Sequence, residues 1–167
     1  ICREASRLIQ RVMEGYISGD PKTIGALLAY FSPDVLVIGT GRHEFYTSLE
    51  ALARGLEKDQ EEARGIRFVV QDAWYEAKMI TEDTCVVYGE SGAGDKGVTI
   101  DMDTRITAGV HREKGGGLVI DSLHQSVPYI YQQEGEYYPK TFANLAEEAL
   151  KRSAILEKHI QLDPMTG

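Results

Sequence analysis

The most constraining stretch is an alternation that runs out, turns on glycines and runs back. From Val98 to Arg112, Val98, Ile100, Met102, Ile106, Ala108 and Val110 fall on one side, and Asp101, Asp103, Arg105, Thr107 and His111 on the other. Lys114-Gly115-Gly116-Gly117 predicts a hairpin turn, and Leu118 to Val127 pairs back until Pro128 stops it. A period of two held this long cannot be wound into a helix without spreading charges around every side of it. This half of the chain is therefore expected to be sheet with one buried face.

The rest falls around that hairpin. Arg3 to Ser18 predicts an amphipathic helix with Ala5, Leu8, Ile9, Val12, Met13, Tyr16 and Ile17 inward. Gly19 ends it, Asp20 caps the next, and Pro21 sits at its first position. Lys22 to Phe31 predicts a short second helix, broken by Ser32-Pro33-Asp34. Val35 to Ile38 is a continuous apolar run, expected as a strand covered on both faces. His43 to Tyr46 is expected to return as a short strand. Ser48 then caps a helix through Ala63, with Leu49, Leu52, Ala53 and Leu56 inward and Glu57, Lys58, Asp59, Glu61 and Glu62 solvated. Ile66 to Met79 and Thr84 to Ser91 predict strands, with Gly92 to Gly97 a flexible loop. Helices, a strand pair, a helix and four long antiparallel strands make an α+β order, with helices gathered on one face of a curved sheet.

Length and charge set bounds. With 167 residues the chain suits one domain plus an appendage. A net charge of -8 leaves no basic stripe to release counterions, so no nucleic-acid partner is expected. Two cysteines, Cys2 and Cys85, give no disulfide framework and point to a reducing, cytoplasmic setting. No apolar run approaches membrane-spanning length, so no membrane contact is expected. His43, His111, His124 and His159 lack ligand spacing; no metal and no cofactor are expected.

The body, Arg3 to Tyr129, carries FSPDVLVIG (Phe31–Gly39) and RITAGVHREKGGGLVIDSLHQSVP (Arg105–Pro128). These resemble the SnoaL-like branch of the superfamily that includes nuclear transport factor two and ketosteroid isomerase. The closing hairpin of that family is echoed in Arg105, Thr107, Gly115 to Gly117, His124 and Ser126, with Leu118 where the family usually has Trp. The resemblance implies a cone-shaped fold, an apolar cavity between helices and sheet, and dimerisation through the sheet.

From Thr141 to Leu162 the chain reads as an uninterrupted helix rich in Ala, Leu, Glu and Lys. Phe142, Ala146, Ala149, Ser153, Leu156 and Ile160 are spaced as a seam for a partner helix. Pro164 forbids a simple continuation. Asp163-Pro164-Met165-Thr166-Gly167 resembles the start of a diguanylate cyclase (GGDEF) domain, with Met165 in the usual Leu position. The loop that names that family is absent, so this chain itself is not expected to carry the cyclase reaction. The expected organisation is a SnoaL-like sensory domain over 1–130, a connector and signalling helix over 131–162, and the opening of a truncated GGDEF domain over 163–167. The helix reads as a lever whose far end lies beyond the residues given.

Several residues could do chemistry or hold a ligand. Ser122, His124 and Ser126 share parity with Leu118 and Ile120, and by the resemblance that face points into the cone. His124 would then be a polar group in an apolar cavity, suited to ligand contact or to general-base work. Arg105 is expected either to bind an acidic ligand or to pair with Asp103 or Asp121 outside. Trp74 and Tyr88 are expected as wall or core, and His43 and Tyr46 at the cavity mouth. Asp121 has the opposite parity to His124, so no dyad is expected between them. Asp72 shares a face with Trp74 and is the other carboxylate to test.

The leading expectation is a ligand-sensing, homodimeric module, paired through sheet and helix, that regulates a diguanylate cyclase output domain. The alternatives are an isomerase, hydratase or cyclase using His124, Asp72 or Tyr46, and a ligand-free dimerisation scaffold filled by its own side chains.

Overall fold

The computed structural model describes residues 1–65, 68–95 and 101–162. Its contacts divide the chain into two units, Ile1–Val127 and Pro128–Gly167.

The first unit begins with α1 (Cys2–Ser18), which buries Ala5, Leu8, Ile9, Val12 and Met13. Gly19 ends it in the left-handed region at φ 70°, a conformation that glycine adopts without steric cost. Asp20 caps α2 (Pro21–Leu27) as expected: its carboxylate accepts from the Lys22 N–H and, at 2.7 Å, from the Thr23 hydroxyl. The helix stops earlier than expected. Leu28–Tyr30 is a single 3-10 turn, and Phe31 already belongs to β1 (Phe31–Ile38).

Ser32-Pro33-Asp34 thus lies inside a strand rather than breaking a helix. The ladder to the neighbouring strand is irregular between Phe31 and Leu36, so Pro33 sits where no regular ladder hydrogen bond is asked of it. The buried Ser32 hydroxyl donates to the Asp34 carboxylate. Nor is β1 covered on both faces: Val35 and Val37 are buried, but Leu36 is 43% exposed. β2 is only Phe45–Tyr46, antiparallel to β1. α3 (Leu49–Glu62) starts on Ser48, whose hydroxyl accepts the Ala51 N–H at 3.1 Å.

Four long strands follow: β3 (Phe68–Met79), β4 (Thr84–Asp95), β5 (Asp101–Arg112) and β6 (Leu118–Ser126). The sheet order is β2-β1-β6-β5-β4-β3, antiparallel throughout except between β1 and β6. Gly92 to Asp95 belong to β4 rather than to a loop, because β3 and β5 pair with them on both sides. The expectations for Ile66 and for Lys96 to Ile100 lie outside the described residues.

The core forms where the apolar stripe of α1 meets the sheet. Leu8, Ile9, Val35, Val87, Val110 and Ile120 are at most 2% exposed. Burying each such side chain contributes about 1.5–3 kcal/mol. The Arg112 guanidinium bonds Glu4 of α1 at 3.0 Å and the Gly116 carbonyl at 2.7 Å, joining the hairpin to the first helix.

The strict alternation expected for β6 fails at one place. Ile120 pairs with Val110 and Ser122 with Gly109, leaving Asp121 as an extra residue. Such a bulge restarts the alternation with opposite parity. Ile120 and Leu123 are therefore the buried pair, at 0% and 6% exposure, and His124 is exposed. Replacing Leu123 with Ala should cost about 2–5 kcal/mol in urea denaturation, and His124 with Ala within about 0.5 kcal/mol. The reverse ranking would refute the bulge.

The second unit, Pro128–Gly167, holds α4 (Lys140–Leu162). The Glu136 carboxylate organises its start, accepting the Thr141 N–H at 3.1 Å, the Thr141 hydroxyl at 2.5 Å and the Gln133 N–H at 3.0 Å. These bonds, the Thr141 hydroxyl first, hold its pKa below the usual range. Tyr131 stacks on Phe142 at 4.3 Å between ring centroids. The five residues Asp163 to Gly167, with their expected cyclase opening, lie outside the described residues.

Candidate functional site

Two faces of the sheet must be distinguished. In register, Ile38, His124, Thr107, Tyr88 and Glu76 form one row, and Ser126, Arg105, Glu90 and Trp74 the next. Leu36, Ser122, Gly109, Val86 and Lys78 form a third. Paired residues share a face, and Arg105 and Thr107 alternate with the buried Thr104, Ile106 and Ala108. These rows therefore lie on the face turned away from the helices.

Six of the expected pocket residues are thus brought together, but on the outer face. His124, Ser122 and Ser126 are there because of the bulge at Asp121, which reverses the parity counted from Ile120. Arg105 stands opposite Glu90 and, among the described residues, makes no ion pair with Asp103 or Asp121. Trp74 and Tyr88 are not core: they are 52% and 38% exposed and meet edge to face at 6.0 Å. The Tyr88 hydroxyl donates to Glu76 at 2.7 Å, which raises its pKa. Asp72 lies on the same face as Trp74, opposite Gly92. His43 is exposed in the β1–β2 turn, where its carbonyl accepts the Phe45 N–H. Of the eight expected residues, Tyr46 is the one set against the helices.

Asp121 also finds a different partner. It meets the Nδ1 of His111 at 2.5 Å, both side chains half-buried. The bulge turns the carboxylate toward that histidine.

The polar constellation on the helix side was missed from the sequence. The Tyr16 hydroxyl of α1 donates to the Asp59 carboxylate of α3 at 2.5 Å. Burial, then the hydrogen bond to Asp59, pushes the Tyr16 phenol far above its usual pKa. Tyr46 lies close by, its ring against Gly55 of α3, where an added Cβ would fall 2.6 Å from the Tyr46 hydroxyl. Burial, then the charges of Glu44 and Asp59, raises its pKa as well. Glu44 is held by the Gly41 N–H at 2.6 Å. A signal was present: Asp59 follows Leu52 and Leu56 at helical spacing, so it continues the inward stripe of α3 rather than its solvated side.

A second buried polar group lies on β3. The Tyr75 hydroxyl is sealed from solvent with no hydrogen-bond partner among the described residues, while Ser91 and Thr104 pair with each other at 3.2 Å. Burial raises the Tyr75 pKa, opposed in part by the nearby Ser91. An open groove of about 460 Å³ runs beside it between α1 and β3, lined by Gln10, Glu14, Ile17, Phe68, Val70 and Ala73 among others. Among the described residues no group of three His, Cys, Asp or Glu is arranged to hold a metal. No described helix is long and apolar enough to cross a membrane.

A fold of helices on one face of a six-stranded, mostly antiparallel sheet, with tyrosines and a carboxylate half-buried on the helix side, defines a cone-shaped α+β class. The chain belongs to the SnoaL-like domain family, whose model matches residues 6–130. No curated protein matches the sequence. Among solved structures, it is similar to a domain of unknown function with a cystatin-like fold from Nostoc punctiforme, at 13% identity and TM-score 0.66, covering 96% of each chain. It is also similar to an NTF2-like protein of unknown function from Pseudomonas putida KT2440, at 16% identity and TM-score 0.59, covering 76% of this chain and 89% of that one. A ketosteroid isomerase-like protein from Erwinia carotovora atroseptica matches at 16% identity and TM-score 0.56, over 74% and 92% of the two chains. At these identities the likeness speaks for the fold.

The raised Tyr16 phenol sets a direction in pH. The folded state holds that proton more tightly than the unfolded state, so its stabilisation is full below the ordinary tyrosine pKa of about 10 and is lost as pH rises above it. Tyr16→Phe should lower stability at pH 7 by about 1–3 kcal/mol and flatten the loss above pH ~10, both read by urea denaturation. An unchanged alkaline slope would refute the assignment.

Proposed function

We propose that this chain is a ligand-sensing and dimerisation module that regulates an output domain of the diguanylate cyclase type. The observation that carries the reading is α4, a long helix whose large apolar side chains are exposed: Leu145, Leu150, Leu156 and Ile160 are 59–74% exposed. A helix with that seam is stabilised by a second helix. The outer sheet face supports pairing in the body as well, since Leu36, Tyr88 and Trp74 leave apolar surface beside His124 and Arg105. Dimerisation through the sheet and α4 is therefore part of the proposal.

The ligand is a small molecule taken on the helix side, near Tyr16, Asp59 and Tyr46, where half-buried phenols and a carboxylate supply directed hydrogen bonds. It needs only to bind one arrangement of the paired helices better than another. The output assignment rests on Asp163 to Gly167, which resemble the opening of a GGDEF domain. The expected setting is the cytoplasm.

A catalytic reading is favoured by one observation, the Tyr16–Asp59 pair beside Tyr46. A carboxylate hydrogen-bonded to a phenol of raised pKa is suited to proton transfer in an isomerase or hydratase. His124 and Asp72, on the outer face, do not join that cluster.

The protein's one tryptophan gives a direct test. Trp74 is half-exposed on the outer face, so dimerisation through the sheet should cover it. Sedimentation should show a dimer at tens of micromolar, on the order of the affinity of a modest interface. Trp74 emission should shift to the red on dilution. A monomer at every concentration would overturn the reading. A dimer that no small molecule stabilises against heat would leave the scaffold instead.

A further inference from the structure

α4 carries more than an unpartnered apolar face: its flanks specify how a second copy must sit. The seam Phe142, Ala146, Ala149, Ser153, Leu156 and Ile160 alternates steps of four and three. Steps of three run from a to d and steps of four from d to a, so Ala146, Ser153 and Ile160 occupy a, and Phe142, Ala149 and Leu156 occupy d. That register places Leu145 and Arg152 at g, and Leu150 and Glu157 at e. In a parallel, in-register pair, each g position faces the e position five residues further along the partner. Leu145 then meets Leu150, and Arg152 meets Glu157.

Both contacts are complementary. Among the described residues, neither Arg152 nor Glu157 makes an ion pair, whereas Lys151 and Glu147 bond each other at 3.4 Å. That bonded pair lies on the side of the helix away from the seam. Arg152 and Glu157 flank the seam and are free to pair across it; Glu148 and Lys158, also without an ion pair among the described residues, lie off the seam. The middle of the seam, Ala146, Ala149 and Ser153, is small, which lets two helices approach toward the lower end of about 8–10 Å. Ile155 is exposed at 56% but lies on the opposite side and takes no part.

We infer that α4 forms a parallel, in-register pair with a second copy of this chain, with Arg152 bonded to Glu157 of the partner subunit. The inference rests on the proposed dimer and adds its direction and register. An antiparallel pair centred on Ser153 would set Ala149 beside Glu157 of the partner subunit and forfeit both complementary contacts. The parallel arrangement also sends the two chains out of the pair side by side.

The test uses the full chain with Cys2→Ser, which leaves the buried Cys85 in place. Ala149→Cys and Leu156→Cys should each form a covalent dimer under mild oxidation, and Ile155→Cys should not. Arg152→Glu alone should raise the dimer dissociation constant by on the order of threefold to thirtyfold, as should Glu157→Arg. The double swap should recover most of that loss. A dimer that cross-links best at Ile155, or that ignores both charge reversals, overturns the parallel register while leaving the dimer standing. A monomer overturns the dimer as well.

Discussion

β6 has β1 beside it in parallel and β5 beside it antiparallel, and it must satisfy both ladders at once. It does so by carrying one residue more than β5 opposite Gly109 and Val110. Ile120 and Leu123 both reach the helices, and Asp121 is turned to His111. Gly109 has no side chain, and its N–H bonds the Ser122 hydroxyl at 3.2 Å. Ser122, His124 and Ser126 take their places on the outer face from this adjustment, because alternation along a strand transmits a single shift to every residue beyond it.

The helix side has a different economy. α1 buries a full aliphatic stripe and α3 buries Leu52, and where the two turn polar groups inward those groups meet. Tyr16 and Asp59 form one short bond instead of two unsatisfied groups, as desolvation demands. Tyr75 is the exception, a sealed hydroxyl without a partner among the described residues, beside the Ser91–Thr104 pair. Polar groups of this kind are scarce in a packed interior, because each one left without a partner costs its desolvation.

α4 is held by contacts within its own unit. Its start is fixed locally by Glu136, Thr141 and the Tyr131–Phe142 stack. Leu145, Leu150, Leu156 and Ile160 are exposed along it, and most helical stability in proteins comes from packing such an apolar face.

Much was legible before any fold was known. The Asp20 and Ser48 caps, the α1 stripe, the glycine hairpin and the alternation of β5 are local rules, written in neighbouring residues and obeyed where they stand. Tyr16 was legible as inward, and Asp59 could have been, had its stripe been followed one turn further. What the sequence could not show was the bulge at Asp121, the merging of Ser32 to Asp34 into β1, and the exposure of Trp74 and Tyr88. Each depends on which strand lies alongside: Val110 and Gly109 for the bulge, β6 for Pro33, and the choice of buried face for Trp74. Periodicity is a property of one strand by itself, but register and face are properties of pairs, and only the assembled sheet decides them.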